Sequence, residues 1–71
     1  MRVRFQHKTA TKEIAEVGGG SWFEPEVFDN VSAIPRKGDD VELNGFARTV
    51  EYVSWTFPRE YGEPEVVIGL R

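Results

Sequence analysis

The dipeptide Asn44-Gly45 constrains this chain more than any other feature, because it stands between two stretches in which apolar and polar residues alternate. Both residues tolerate positive φ, the backbone state that a two-residue hairpin turn requires, so the pattern predicts a β-hairpin. Val41 and Leu43 alternate with Asp40 and Glu42 on the incoming side. Phe46, Arg48, Val50 and Tyr52 alternate with Ala47, Thr49 and Glu51 on the outgoing side. Strands are therefore expected over 40–43 and 46–57. The outgoing strand changes phase, since Phe46, Val50 and Tyr52 fall on one face of a regular pleat and Val53, Trp55 and Phe57 on the other. A bulge or sharp coil near Tyr52–Ser54 would resolve this and let one strand serve both halves of a barrel. The hairpin is launched from Pro35-Arg36-Lys37-Gly38-Asp39, where proline presets one corner of a turn and glycine accepts the other.

The same reading extends to both sides. Met1, Val3 and Phe5 alternate with Arg2, Arg4 and Gln6, which predicts a half-buried strand over 1–7. Val66, Ile68 and Leu70 share one face of a closing strand over 65–71. Lys12–Val17 fits either one helical turn or the return strand of a hairpin; so short a segment is a poor isolated helix, and the strand is favoured. Gly18-Gly19-Gly20 lacks the following helix and lysine of a phosphate cradle, and reads as a loop crossing a barrel end. Pro25 interrupts any regular element in Ser21–Ala33, while Asp29-Asn30 predicts a turn leading into a short 3₁₀ or helical turn near residues 29–33.

With 71 residues the chain forms a single small domain, 1–71, that buries only ~60% of its unfolded surface. Large aromatic side chains compensate: Phe5, Trp22, Phe23, Phe28, Phe46, Tyr52, Trp55, Phe57 and Tyr61. Five short strands, at 1–7, 12–17, 40–43, 46–57 and 65–71, are too few for two filled sheets. The expected class is all-β, a small five-stranded, partly open barrel whose closure protects its edges.

Composition excludes several chemistries. Without cysteine there is no disulfide framework, thiolate nucleophile or thiolate metal site. The serines, Ser21, Ser32 and Ser54, stand in no nucleophile elbow, and the one histidine, His7, ends a strand and is expected at the surface. Asp39, Asp40 and Glu42 resemble a hard-cation cluster, but Asp40 and Glu42 lie on one strand face outside any loop of oxygen donors. They are expected to be solvated and paired with Lys37 or Arg48. Neither an enzyme, a metal site nor a cofactor is predicted. The first residues lack the apolar run of a signal peptide and no segment reaches the ~18 apolar residues of a membrane span, so a cytoplasmic protein is expected.

Over Pro35, Arg36, Gly38, Asp39, Val41, Gly45, Val50, Val53 and Trp55 the chain resembles small SH3-like barrel proteins of bacteria and their phages. Their hairpins often open on a Pro-Arg-x-Gly-Asp turn and return through a glycine turn to a strand ending in an aromatic. The resemblance covers about a third of the chain and implies an SH3-like barrel acting as a binding module, with no catalytic residues.

Two surfaces could carry binding. Trp22, Phe23 and Phe28 stand among Glu24, Glu26 and Asp29, an acidic-aromatic loop suited to a partner protein with a basic surface. A phage or mobile-element inhibitor of a host protein that handles nucleic acid fits this loop, the small size and the net charge of −3. The alternative is single-stranded nucleic acid, with Tyr52, Trp55 and Phe46 as a stacking platform and Arg2, Arg4, Lys37 and Arg48 around it. The acidic balance weighs against dependence on phosphate contacts. A third reading makes the chain a structural homodimer rather than a monomer, its aromatic loop buried between copies.

Overall fold

A computed structural model describes residues 1–18, 22–60 and 62–71. Gly19 and Gly20 of the glycine loop lie outside the described residues, as do Ser21 and Tyr61. Five strands, β1 (Arg2–His7), β2 (Glu26–Phe28), β3 (Asp40–Leu43), β4 (Phe46–Thr56) and β5 (Glu65–Leu70), form one sheet in the order β2-β1-β5-β4-β3. The sheet curls into a half-barrel, so the all-β, partly open five-stranded expectation holds. At its centre β1 and β5 run parallel, and every other neighbouring pair is antiparallel.

The core follows from alternation on the two central strands. Val3, Phe5 and His7 stand opposite Val66, Ile68 and Leu70, and all six are buried on the concave face. Val50 joins them, and Phe23, Val31, Ile34, Val41, Leu43 and Val53 pack around the cluster. Each aliphatic side chain fully withdrawn from water contributes on the order of 1.5–3 kcal/mol. His7 is thus a correction to the surface position expected of it: the period of β1 places it on the core face. Its Nδ1 accepts a hydrogen bond from the Thr9 amide at 3.0 Å, and its ring stacks on Trp22 with centroids 5.1 Å apart. An aromatic lid and one polar partner make that burial tolerable.

Both turns predicted for the hairpin, at its tip and at its launch, form. Asn44 and Gly45 adopt φ of 51° and 85°, and Leu43 pairs with Phe46. Gly38 turns with φ 94°, and its amide donates to the Val50 carbonyl at 2.9 Å, so the launching turn is tied to β4. The phase change in β4 is a register shift between Val50 and Tyr52, just ahead of the expected position. Val50 pairs with Leu70, Tyr52 with Gly69 and Val53 with Ile68, so the shift turns Tyr52 outward and returns Val53 to the core face.

Two segments depart from expectation. Lys12–Val17 is a helix, α1, and not a strand. Thr11 caps it, its Oγ1 accepting from the Ile14 amide at 3.4 Å, Glu13 sits in the first turn, and the Gly18 amide closes the last turn on the Ile14 carbonyl at 3.1 Å. Only Ala15 of this helix is buried. The fifth strand is instead β2, which starts directly after Pro25 and lies at the sheet edge, where a preceding proline removes no ladder hydrogen bond. No helical turn forms over 29–33: Asn30 takes a left-handed conformation, φ 60°, and the Val31 amide donates to the Met1 carbonyl at 3.0 Å. Among the described residues no helix is long and apolar enough to cross a membrane.

A groove at the barrel mouth as candidate functional site

The two edges of the curled sheet approach each other where β2 meets the tip of the β3–β4 hairpin. Side chains link them there: Asn44 Nδ2 donates to Glu26 Oε1 at 2.7 Å. Alternation explains both partners. Glu26 pairs with Phe5 and therefore lies on the core face of β2, and Asn44 is fixed at the hairpin apex by its left-handed backbone.

Beside this bridge lies a groove of about 480 Å³, walled by Trp22, Phe23, Leu43 and Phe46 and edged by Glu24, Glu26, Asn44 and Arg48. Its walls come from three places in the chain. Phe46 and Arg48 share the inner face of β4 with Val50, and Leu43 stands opposite Phe46. The loop before β2 brings Trp22 and Phe23 across, anchored by the stack of Trp22 on His7 and by the packing of Phe23 on the core. The Arg48 guanidinium sits 4.3 Å from the centre of the Phe23 ring, a cation–π contact. Glu26 Oε2 is buried and has no hydrogen-bond partner among the described residues. Phe46 remains 69% exposed, an apolar wall open to water.

Of the residues predicted to touch a partner protein, Trp22, Phe23, Glu24 and Glu26 converge on this groove. Phe28 and Asp29 do not. Phe28 makes an edge-to-face contact with Phe5, centroids 5.7 Å apart, and Asp29 accepts from Arg2 Nε at 3.1 Å further along β1. Leu43 and Asn44 serve only the hairpin in the sequence pattern, and Phe46, expected beside Tyr52 and Trp55 in a stacking platform, lies in this groove instead. An apolar ring beside an Asn-Gly turn, where a solvated tip calls for polar residues, was the available signal.

The residues of the nucleic-acid reading are scattered. Arg2 pairs with Asp29, Arg4 pairs with Glu65 at 3.3 Å, and Arg48 belongs to the mouth groove. Lys37, Tyr52 and Trp55 do come together, with Arg36 and Glu51, along a second cleft of about 590 Å³. Asp40 and Glu42 are exposed, as expected, but Asp40 is partnered by Thr49 Oγ1 at 3.0 Å and not by Lys37 or Arg48. Thr49 is its cross-strand neighbour, while Arg48 points to the other face.

No family model, curated protein or solved structure matches the chain. The mouth groove is an apolar, aromatic-lined recess with a few convergent polar groups at its edge.

Proposed function

We propose that this protein is a non-enzymatic binding module that works by protein–protein contact, with the groove at the barrel mouth as the contact surface. The observation that carries this reading is the wall of Trp22, Phe23 and Phe46 around a recess of about 480 Å³, with Phe46 exposed. Aromatic anchors in a recess are the residues that dominate interface energetics. The excess of acidic over basic residues, net −3, favours a partner whose surface is basic. An inhibitor encoded by a phage or mobile element, occupying a surface that its host protein uses for nucleic acid, is the form of this reading that best suits the size and acidity of the chain. The likeness of the hairpin to SH3-like barrels supports a binding role without specifying the partner.

The test is site-specific photo-crosslinking. A photoreactive residue at position 46 should capture a discrete protein from a bacterial lysate, whereas the same group at position 42, on the opposite face of the hairpin, should not. Equal capture from both positions would refute the groove as the contact surface.

A second reading, single-stranded nucleic acid, rests on the convergence of Lys37, Tyr52 and Trp55 in the other cleft. It predicts oligonucleotide binding that weakens steeply with salt and is lost in Trp55→Ala. The absence of binding at low salt would remove it.

A further inference from the structure

Building on the reading of the mouth groove as a protein-contact surface, we infer that its occupant is an arginine side chain presented by a segment of the partner protein. The deciding group is Glu26. One of its carboxylate oxygens is held by Asn44 at 2.7 Å, and the other is buried with no partner among the described residues. A buried acceptor without a donor is costly, and a carboxylate oxygen is best matched by a charged N–H donor. A cation entering the recess, with a small turn of the Glu26 side chain to uncover that oxygen, would supply the missing donor.

Three observations narrow that cation to a guanidinium. The groove volume, about 480 Å³, lies within the range of pockets that enclose a small ligand, so a long side chain fits without opening the sheet. The walls are flat rings, and a planar guanidinium stacks on aromatic faces while presenting in-plane donors to a carboxylate, which a compact ammonium does less well. The groove already shows this preference within the chain, because Arg48 lays its guanidinium over Phe23 at 4.3 Å. The charged residues lining the groove are two carboxylates, Glu24 and Glu26, and one guanidinium, Arg48, a net negative balance that attracts a second cation.

Arg48 also sets the limit on affinity. It stacks on the same ring a ligand would use, so removing it exposes Phe23 and lowers the positive charge beside the site. Arg48→Ala should bind an arginine ligand more tightly than the wild type, a direction opposite to that of a variant that merely damages the groove.

The experiment is a titration of the ¹⁵N-labelled protein with three capped tripeptides, acetyl-Gly-X-Gly-amide, in which X is arginine, citrulline or leucine. The arginine peptide should shift the Trp22 indole and the Asn44 side-chain amide, and bind at least tenfold more tightly than the citrulline peptide, which keeps the shape without the charge. Glu26→Gln retains an oxygen to accept from Asn44 and should erase that tenfold difference. Phe46→Ala removes an exposed wall and should weaken the arginine peptide severalfold while the spectrum stays folded. If citrulline or leucine binds at the same signals as tightly as arginine, the cation inference fails and protein contact at the groove stands. If none of the three shifts those signals, the inference fails, and capture from position 46 then decides on its own whether the groove is a contact surface. A single-stranded oligonucleotide that shifts the same two signals would overturn both.

Discussion

Gly69→Ala should destabilise this protein, although replacing a strand glycine by alanine ordinarily stabilises it. The usual gain, on the order of 0.4–1 kcal/mol, comes from restricting the unfolded chain. Here the position is occupied from above. Tyr52 pairs with Gly69 across β4 and β5, and a Cβ at residue 69 would lie 2.6 Å from Tyr52 Cδ1 and closer still to Cε1 and Cζ. The ring cannot stay where it is. Forcing a side chain out of a packed position costs about 1–3 kcal/mol. Its departure also breaks the hydrogen bond that Gln6 Nε2 donates to Tyr52 Oη at 2.7 Å, worth a further ~0.5–1.5 kcal/mol net. With the usual gain subtracted, the expected net loss is about 0.5–4 kcal/mol, and each kcal/mol lowers the Tm of a domain this size by about 4–8 °C. Urea unfolding and thermal melts of wild type, Gly69→Ala, Tyr52→Ala and the double variant form the assay. In the Tyr52→Ala background the alanine at 69 meets no ring, so its cost should vanish or change sign. An equal loss in both backgrounds would show that the close approach of ring and backbone is not the cause.

Other perturbations separate the core from the groove. Ile68→Ala, at a fully buried position, should cost about 2–5 kcal/mol, whereas Phe46→Ala should change stability by less than about 0.5 kcal/mol because its ring is 69% exposed; denaturant midpoints compare them directly. Gly45→Ala places a β-carbon where φ is 85° and should cost on the order of 1–2 kcal/mol, read as a shift in Tm without a change in the native fluorescence of Trp22. Thr11→Ala removes the cap of α1 and should lose roughly 1 kcal/mol locally, seen as faster amide exchange at Ala15 and Gly18 with little change at Ile68. Arg4→Gln breaks an exposed ion pair with Glu65 and should change the free energy of unfolding by less than about 1 kcal/mol at any salt concentration, measured by urea titration.

How much of the structure could be read from residues depends on whether the cause is local. The hairpin is legible because Asn44 and Gly45 carry the turn in their own backbone preferences and the flanking period of two states which side is wet. The phase change in β4 forecasts a bulge for the same reason: an interrupted pattern on a continuous strand has few other solutions. Lys12–Val17 is different. Ile14, Ala15 and Val17 satisfy a helical turn and a strand equally well, and the outcome rests on Thr11 as a cap and on burial of Ala15, which depends on the rest of the fold. The edge strand Glu26–Phe28 has three residues and no period of its own; it exists because β1 offers it a ladder. His7 was misplaced by its residue type, although the alternation of Val3 and Phe5 already pointed it inward.

The candidate site divides along the same line. Trp22, Phe23, Glu24 and Glu26 are neighbours in sequence, and an acidic-aromatic cluster is visible there without coordinates. That Phe28 turns to Phe5 and Asp29 to Arg2, while Leu43, Asn44, Phe46 and Arg48 take their places, follows from the curl of the sheet that brings β2 to the hairpin tip. By itself the sequence determined the turns, the central strands and the side of each that is buried, because φ preferences and hydrophobic alternation act over a few residues. Only the tertiary structure decided the parallel pairing of β1 with β5, the helix at 12–17 and the groove at the barrel mouth. Each depends on contacts between segments far apart in the chain, whose energies no local pattern encodes.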